Sequence, residues 1–105
     1  MDTNIIESLG LEAVAIVRRD GMFLDGIIPN YVDKETFSIM SATIFMSTIS
    51  TYSEFKLSQP EKITVYNQGL NMLLYPKNDR EIVVSLFSSD KNPDDIYQKL
   101  VNLIK

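Results

Sequence analysis

Polar residues that can cap helices stand before three segments of the chain in which apolar residues recur at helical spacing. The first segment ends at Gly10, a residue suited to the left-handed position after a helix, and the last opens with Pro93 in its first turn. In chain order, the predicted N-cap residues and their helices are Asn4 with 4–9, Asp33 with 34–54, and Asn92 with 93–104.

Five apolar runs lie between these helices and are separated by residues typical of turns. Two of the runs flank Asp20-Gly21, a dipeptide that strongly favours a β-hairpin. The other three are joined by segments short enough only for hairpins, so they predict an antiparallel meander. The predicted strands occupy residues 13–17, 22–28, 62–66, 71–75 and 81–87.

The order of these elements is helix, two strands, helix, three strands, helix, which indicates a single α+β domain over residues 1–105 with a largely antiparallel sheet. The runs at 13–17, 72–75 and 82–87 are continuously apolar, as interior strands are when both faces of a sheet are covered. Residues 62–66 alternate in polarity, which favours an edge strand. We therefore expect helices on both faces and an edge that is open to another chain.

The middle helix carries apolar residues on two sides. At about 100° per residue, they fall in two arcs with a strip of Ser and Thr beside them. One arc holds Phe37, Met40, Ile44, Phe45, Tyr52 and Phe55. The second arc and the adjoining strip include Ile39, Ala42, Thr43, Met46, Ile49 and Ser50. Because one face of a sheet covers one arc, we expect this second side of the helix to contact another protein.

The composition narrows the possible chemistry. Ten basic residues against fourteen acidic ones give a net charge of −4, and the basic residues are scattered, so a nucleic-acid partner is not expected. The absence of Cys and His removes disulfides, thiolate and imidazole catalysis, and zinc sites built on those ligands. The four glycines form neither of the phosphate-binding fingerprints. We expect a protein that is not an enzyme and needs no cofactor or metal.

A few charged residues have both a chemical and a simpler structural interpretation. Asp20, Asp25 and Asp79 would form a carboxylate cluster if the fold brought them together, but Asp20 and Asp79 fall in turns, where Asp is favoured by the backbone. Arg18 or Arg19 would suit an arginine finger, a side chain that contacts the phosphates of a nucleotide held by another protein. A solvated pair at the end of a strand is the simpler interpretation of these arginines.

The uncharged stretch over residues 36–53 approaches the length of a membrane-spanning helix. Nine of its 18 residues are Ser or Thr, which lowers its hydrophobicity, so we expect a buried helix and no direct membrane insertion. The N-terminus lacks the basic start of a signal peptide. These features favour a cytoplasmic protein.

The order of elements resembles the roadblock/dynein-light-chain (Roadblock/LC7) family along almost the whole chain. The resemblance is carried by the first strand and turn at 11–21, the capped helix at 33–54, and the strands at 61–66 and 71–76. It implies a five-stranded antiparallel sheet in the order 2-1-5-4-3. The middle helix would cover one face and the N- and C-terminal helices the other, as in a roadblock/profilin-like sandwich.

The resemblance also implies a dimer in which third strands pair across a two-fold axis into a ten-stranded sheet and the middle helices pack side by side. This agrees with the edge strand and the two-sided helix. The predicted dimer or partner interface consists of Ile39, Ala42, Thr43, Met46, Ile49 and Ser50 of the helix and Lys62, Ile63, Thr64, Val65 and Tyr66 of the strand.

Members of this family regulate or scaffold small GTPases, and some are dynein subunits. The resemblance therefore implies a homodimer, or a heterodimer with a sister roadblock protein, that binds a small Ras-like GTPase. Two alternatives stay open: a subunit of a motor or trafficking complex, and a PAS- or longin-like domain that senses a small ligand.

Overall fold

The computed structural model describes residues 1–105 and has the predicted order of elements. The strands predicted at 22–28 and 62–66 are each one residue shorter at both ends, the other three strands extend beyond their predicted bounds, and the last helix ends one residue earlier. The elements are α1 Asn4–Leu9, β1 Leu11–Arg18, β2 Phe23–Ile27, α2 Lys34–Glu54, β3 Ile63–Val65, β4 Leu70–Pro76, β5 Glu81–Ser88 and α3 Pro93–Leu103.

The five strands form one antiparallel sheet in the order β2-β1-β5-β4-β3. β1, β4 and β5 are interior strands with residues buried on both faces, as their continuous apolar runs predict. β2 and β3 are the two edges. The sheet order and the edge position of β3 are confirmed.

The core is divided into two layers by the sheet. On one side α1 and α3 cover a cluster that includes Val14, Leu73 and Phe87. On the other side α2 contributes Ala42 and Phe45 to a second cluster. We call these the α1/α3 side and the α2 side of the sheet. The predicted placement of the middle helix opposite the two terminal helices is confirmed.

Two of the three predicted helix caps are present. The side chain of Asp33 accepts hydrogen bonds from the backbone N–H groups of Glu35, at 2.9 Å, and Thr36, at 3.5 Å. Asn92 accepts in the same way from the two residues that follow Pro93. Each cap satisfies backbone donors that the first turn of a helix leaves free.

The predicted cap of α1 is wrong. Asn4 is the first helical residue, and Thr3 occupies the N-cap position without a side-chain hydrogen bond. The carboxylate of Asp2 instead accepts from the backbone N–H of Asn4 at 2.9 Å, so a charged acceptor two residues upstream replaces the expected amide. Gly10 ends the helix in the left-handed conformation, as predicted.

None of the three helices combines the length and the hydrophobicity needed to cross a bilayer.

Candidate interaction surface

The side of α2 that packs on the sheet is the side where the two predicted apolar arcs meet, and it includes one residue from each, Phe45 and Ala42. Its buried residues are Ser38, Ser41, Ala42 and Phe45. Three of these side chains are small, which allows the helix backbone to approach the sheet closely, and Phe45 is fully buried in the core on the α2 side. The pattern of large apolar residues alone did not reveal this orientation.

This orientation corrects the predicted interface at two positions. Ala42 is only 4% exposed and belongs to the core on the α2 side, so its side chain does not lie on the surface. Ile49 is half-buried and packs against the same core. A partner on the exposed side of α2 therefore meets neither of them as a free side chain.

The other predicted helix residues are exposed. Together with Met40 and Ser47 they form a strip along α2 that we call the α2 face, made of Ile39, Met40, Thr43, Met46, Ser47 and Ser50. Ile39 is 52% exposed and Met40 59%. The hydroxyl of Thr43 donates a hydrogen bond to the carbonyl of Ile39 at 2.7 Å. A partner could therefore cover Thr43 without leaving its hydroxyl donor unsatisfied. The α2 face is thus suited to apolar contact.

The outer edge of β3 pairs with no other strand of this chain. We call residues 62–66 the β3 edge. Val65 is 42% exposed and Tyr66, just beyond the strand, is 73% exposed. Ile63 is half-buried and packs against the core on the α2 side. An edge with unpaired backbone groups and exposed apolar side chains is a template for another strand.

Lys62, also predicted to lie in the interface, is held by α3. Its Nζ lies 3.1 Å from Oδ1 of Asp94 and 4.4 Å from the centre of the Tyr97 ring. The hydrogen bond that Lys62 donates to the Asp94 carboxylate raises the pKa of Lys62 above its ordinary value. Tyr97 in turn meets Tyr75 edge to face, with ring centres 5.2 Å apart. Sequence reasoning missed this cluster, because an Asp in the first turn of a helix is favourable for local reasons alone.

The structure keeps the acidic candidates apart. Asp20 accepts two hydrogen bonds from the Arg18 guanidinium, at 2.8 and 2.7 Å, and this contact lowers the pKa of Asp20. Asp25 lies 3.1 Å from the N-terminal ammonium group, and Asp79 is exposed in the β4–β5 turn. No three acidic residues converge in an arrangement that would hold a metal ion.

The arginines have structural partners. Arg18 is paired with Asp20, and Arg19 donates to the backbone carbonyl of Asn78 at 2.7 Å. The Arg19 guanidinium also lies 5.3 Å from the centre of the Phe45 ring. Both side chains are therefore engaged within the chain. Arg19 is half-buried, so the expectation of a solvated pair is not met at that residue.

A half-open apolar cleft lies between the start of α2 and the strand ends on the α2 side. It has a volume of about 200 Å³, and Phe37, Met72 and Leu86 are among its lining residues. Pockets that bind small molecules usually have volumes of about 300–1,000 Å³. This cleft is smaller than such pockets, but a second cleft of about 560 Å³, lined in part by Met1, Asp25 and Lys105, falls within their range, so the alternative of a ligand-sensing domain stays open.

The sheet order, the helices on both sides and the unpaired β3 edge define the class of this molecule: the chain has a roadblock/LC7-type fold, built as a roadblock/profilin-like α+β sandwich. Two bacterial structures superpose well on it. Myxococcus xanthus MglB gives a TM-score of 0.80 at 8% sequence identity, with 95% of this chain and 88% of that chain covered. A Roadblock/LC7 domain from Streptomyces avermitilis gives 0.81 at 9% identity, with 95% and 91% covered.

The likeness extends to profilin and stops at the level of the fold. Schizosaccharomyces pombe profilin gives a TM-score of 0.65 at 15% identity, with 96% of this chain and 90% of that chain covered. No family model and no curated protein sequence matches the chain. At such low identities the superpositions establish the fold, and the function has to be argued from the surface.

Proposed function

We propose that the chain is a non-enzymatic roadblock module that dimerises, with itself or with a sister roadblock protein, and binds and positions a small Ras-like GTPase. The observation that carries the proposal is an unpaired β3 edge together with an exposed apolar α2 face on a roadblock/LC7-type fold. Each feature alone is common on protein surfaces, and their combination is what the resemblance to the family implies.

The register of β3 supports a dimer through its edge. Val65 is paired with Met72, which packs against the core on the α2 side, so the exposed side chain of Val65 lies on the same side of the sheet as α2. Two copies joined edge to edge around a two-fold axis perpendicular to the sheet would place both α2 helices on that side. The dimer would then bury Val65 and present a surface made of two α2 faces.

The GTPase part of the proposal rests on the resemblance to the family and on the MglB structures among the superposed proteins. This chain has no glycine-rich phosphate-binding motif, so in such a complex the nucleotide belongs to the partner. Because Arg18 and Arg19 are engaged within the chain, we favour positioning of the GTPase over insertion of an arginine finger.

A binding experiment tests this proposal. Ras-like GTPases from the source organism, loaded with GDP or with a non-hydrolysable GTP analogue, would be measured against the immobilised chain by interferometry. We expect saturable binding of at least one of them and at least tenfold weaker binding by the Met40→Asp variant.

The matched control is Leu103→Asp, because Leu103 is 58% exposed on α3, on the opposite side of the sheet from Met40. This variant should bind like the wild type. If no GTPase binds to folded wild-type protein, or if both variants lose binding equally, a GTPase site on the α2 face is wrong.

A further inference from the structure

The side chains of the β3 edge alternate between the two sides of the sheet. Ile63 packs on the α2 side, and Val65, two residues further along, pairs with Met72 of that side. Lys62 contacts α3 and so lies on the α1/α3 side, and Thr64 pairs with Leu73, which belongs to the α1/α3 core. Pairing with a second copy that extended the strand by one residue would place Tyr66, just beyond its end, on the α1/α3 side as well.

This alternation of side chains restricts how two copies of the β3 edge can pair. Directly opposite residues in an antiparallel pair point to the same side of the sheet. With both α2 helices on one side, residues of the same side must therefore face each other, and a one-residue slip would place apolar residues opposite polar ones. The two-fold axis must then pass midway between the two copies of one residue, so that this residue lies directly opposite itself.

Centring the pairing on Thr64 makes the edge complementary to itself. Ile63 then lies opposite Val65 of the second copy on the α2 side, and Lys62 lies opposite Tyr66 of the second copy on the α1/α3 side. Centring on Ile63 would instead place Glu61 opposite Val65, and centring on Val65 would place Ile63 opposite Asn67. Only the first arrangement matches apolar with apolar and a cation with an aromatic ring.

We propose that two copies pair antiparallel about Thr64, and that Tyr66 of the second copy packs on Lys62 and extends the Tyr75–Tyr97 cluster across the dimer. This inference rests on the dimer proposed above and specifies its register and its principal side-chain contact. Lys62 is already oriented by Asp94 and Tyr97, while its side chain is still 32% exposed. A preoriented ammonium group loses little freedom when a second ring covers it.

Disulfide cross-linking reads the register directly, because the natural chain contains no cysteine. Opposite residues in an antiparallel pair have Cα atoms about 4.5–5.5 Å apart, and disulfides join Cα atoms about 4.4–6.8 Å apart. We expect Thr64→Cys to form a covalent dimer on mild oxidation. An equimolar mixture of Lys62→Cys and Tyr66→Cys copies should form a covalent pair that neither variant forms alone.

The matched controls are Ile63→Cys and Val65→Cys. In the proposed register, each of these cysteines lies diagonally across from the same cysteine of the second copy, with Cα atoms about 7–8 Å apart. That distance is too long for a disulfide without backbone movement. Efficient cross-linking of either control in place of Thr64→Cys would overturn the register. The cross-linked fraction would be measured by non-reducing electrophoresis. The protein would be oxidised at the same concentration as that used to measure its mass in solution by light scattering.

Substitution of Tyr66 tests the side-chain contact. Tyr66→Ala should weaken dimerisation about 5- to 20-fold, Tyr66→Phe should retain wild-type affinity because it keeps the ring, and Lys62→Ala should cost little more in the Tyr66→Ala background. Additive losses from Lys62 and Tyr66 would refute the contact. A wild type that dimerises while Thr64→Cys stays uncross-linked refutes the register alone, whereas a monomeric wild type refutes the proposed dimer and the register together.

Discussion

At the scale of single residues, several buried hydroxyl groups lack a hydrogen-bond partner. They include the side-chain oxygens of Ser38, Ser85 and Tyr75. Tyr75 lies in the α1/α3 core, where it meets Tyr97 edge to face. Buried hydroxyls without partners cost stability, so these positions are where substitutions should give the clearest energetic effects.

The phenol of Tyr75 should make the protein less stable in alkaline solution. Burial raises the pKa of Tyr75 above the ordinary value of 10.0. Between the unfolded and the folded pKa, the unfolded chain has lost this proton and the folded chain has kept it, so the free energy of unfolding falls as pH rises above about 10. The slope from this group is at most about 1.4 kcal/mol per pH unit.

Urea unfolding at pH 9 and pH 11 measures the effect. Tyr75→Phe should lose less stability over this interval than the wild type, because it has no phenol to titrate. Tyr31→Phe, at an exposed position, should behave like the wild type. An identical loss of stability in Tyr75→Phe and the wild type would contradict the assignment.

Removing the hydroxyl of Ser85 should stabilise the fold. Ser85 is fully buried in β5, and its Oγ has no partner, so Ser85→Ala removes an unsatisfied polar group at little cost in packing. We expect a gain of about 1 kcal/mol in urea unfolding. The exposed Ser89 donates to the carbonyl of Gln68 at 3.2 Å, so Ser89→Ala should give no gain. Destabilisation by Ser85→Ala would show that its hydroxyl is satisfied.

At the scale of secondary structure, local chemistry predicted most elements. The caps at Asp33 and Asn92 and the Asp20-Gly21 turn act within a few residues, so their effect can be inferred from the sequence alone. The cap of α1 was misassigned because Asp2 and Asn4 are both suitable polar residues and only geometry distinguishes them.

The orientation of α2 depends on contacts that the sequence does not state. Large apolar residues occur all round the helix, whereas Ser38, Ser41 and Ala42 determine which side can approach the sheet. The candidate site was therefore only partly predictable. Exposure of Ile39 and Met46 followed from the two arcs, but burial of Ala42 and the contact between Lys62 and α3 required the fold.

The β2 strand should depend on Gly26. Gly26 has a φ of +154°, and a Cβ atom there would lie 2.5 Å from the carbonyl oxygen of Val14 and 2.7 Å from Cα of Ala15. Gly26→Ala should therefore lower the free energy of unfolding by about 2 kcal/mol or more. Thermal or urea unfolding would measure the change.

Gly69 provides the matched control. A Cβ atom there would meet nothing closer than the Asn67 Oδ1 at 3.5 Å, so Gly69→Ala should change stability by no more than about 0.5 kcal/mol. Equal effects at the two glycines would mean that the strand relaxes around Gly26, and that the close approach of β1 and β2 does not constrain the fold.

At the scale of the whole molecule, the core is complete but two apolar surfaces are left uncovered. The α2 face and the β3 edge carry several of the large exposed apolar side chains, including Ile39, Met40, Val65 and Tyr66. Val65→Asp would place a charge on the β3 edge without disturbing the core. Ile49→Asp would not test these surfaces alone, because Ile49 packs against that core.

Light scattering on the purified chain over a dilution series measures whether two copies pair through the β3 edge. We expect a mass close to twice 12.0 kDa for the wild type and a folded monomer near 12.0 kDa for Val65→Asp. The circular dichroism spectrum of the variant should match that of the wild type. A wild type that is monomeric at every concentration, or a Val65→Asp variant that dimerises as strongly as the wild type, would show that the β3 edge does not join two copies.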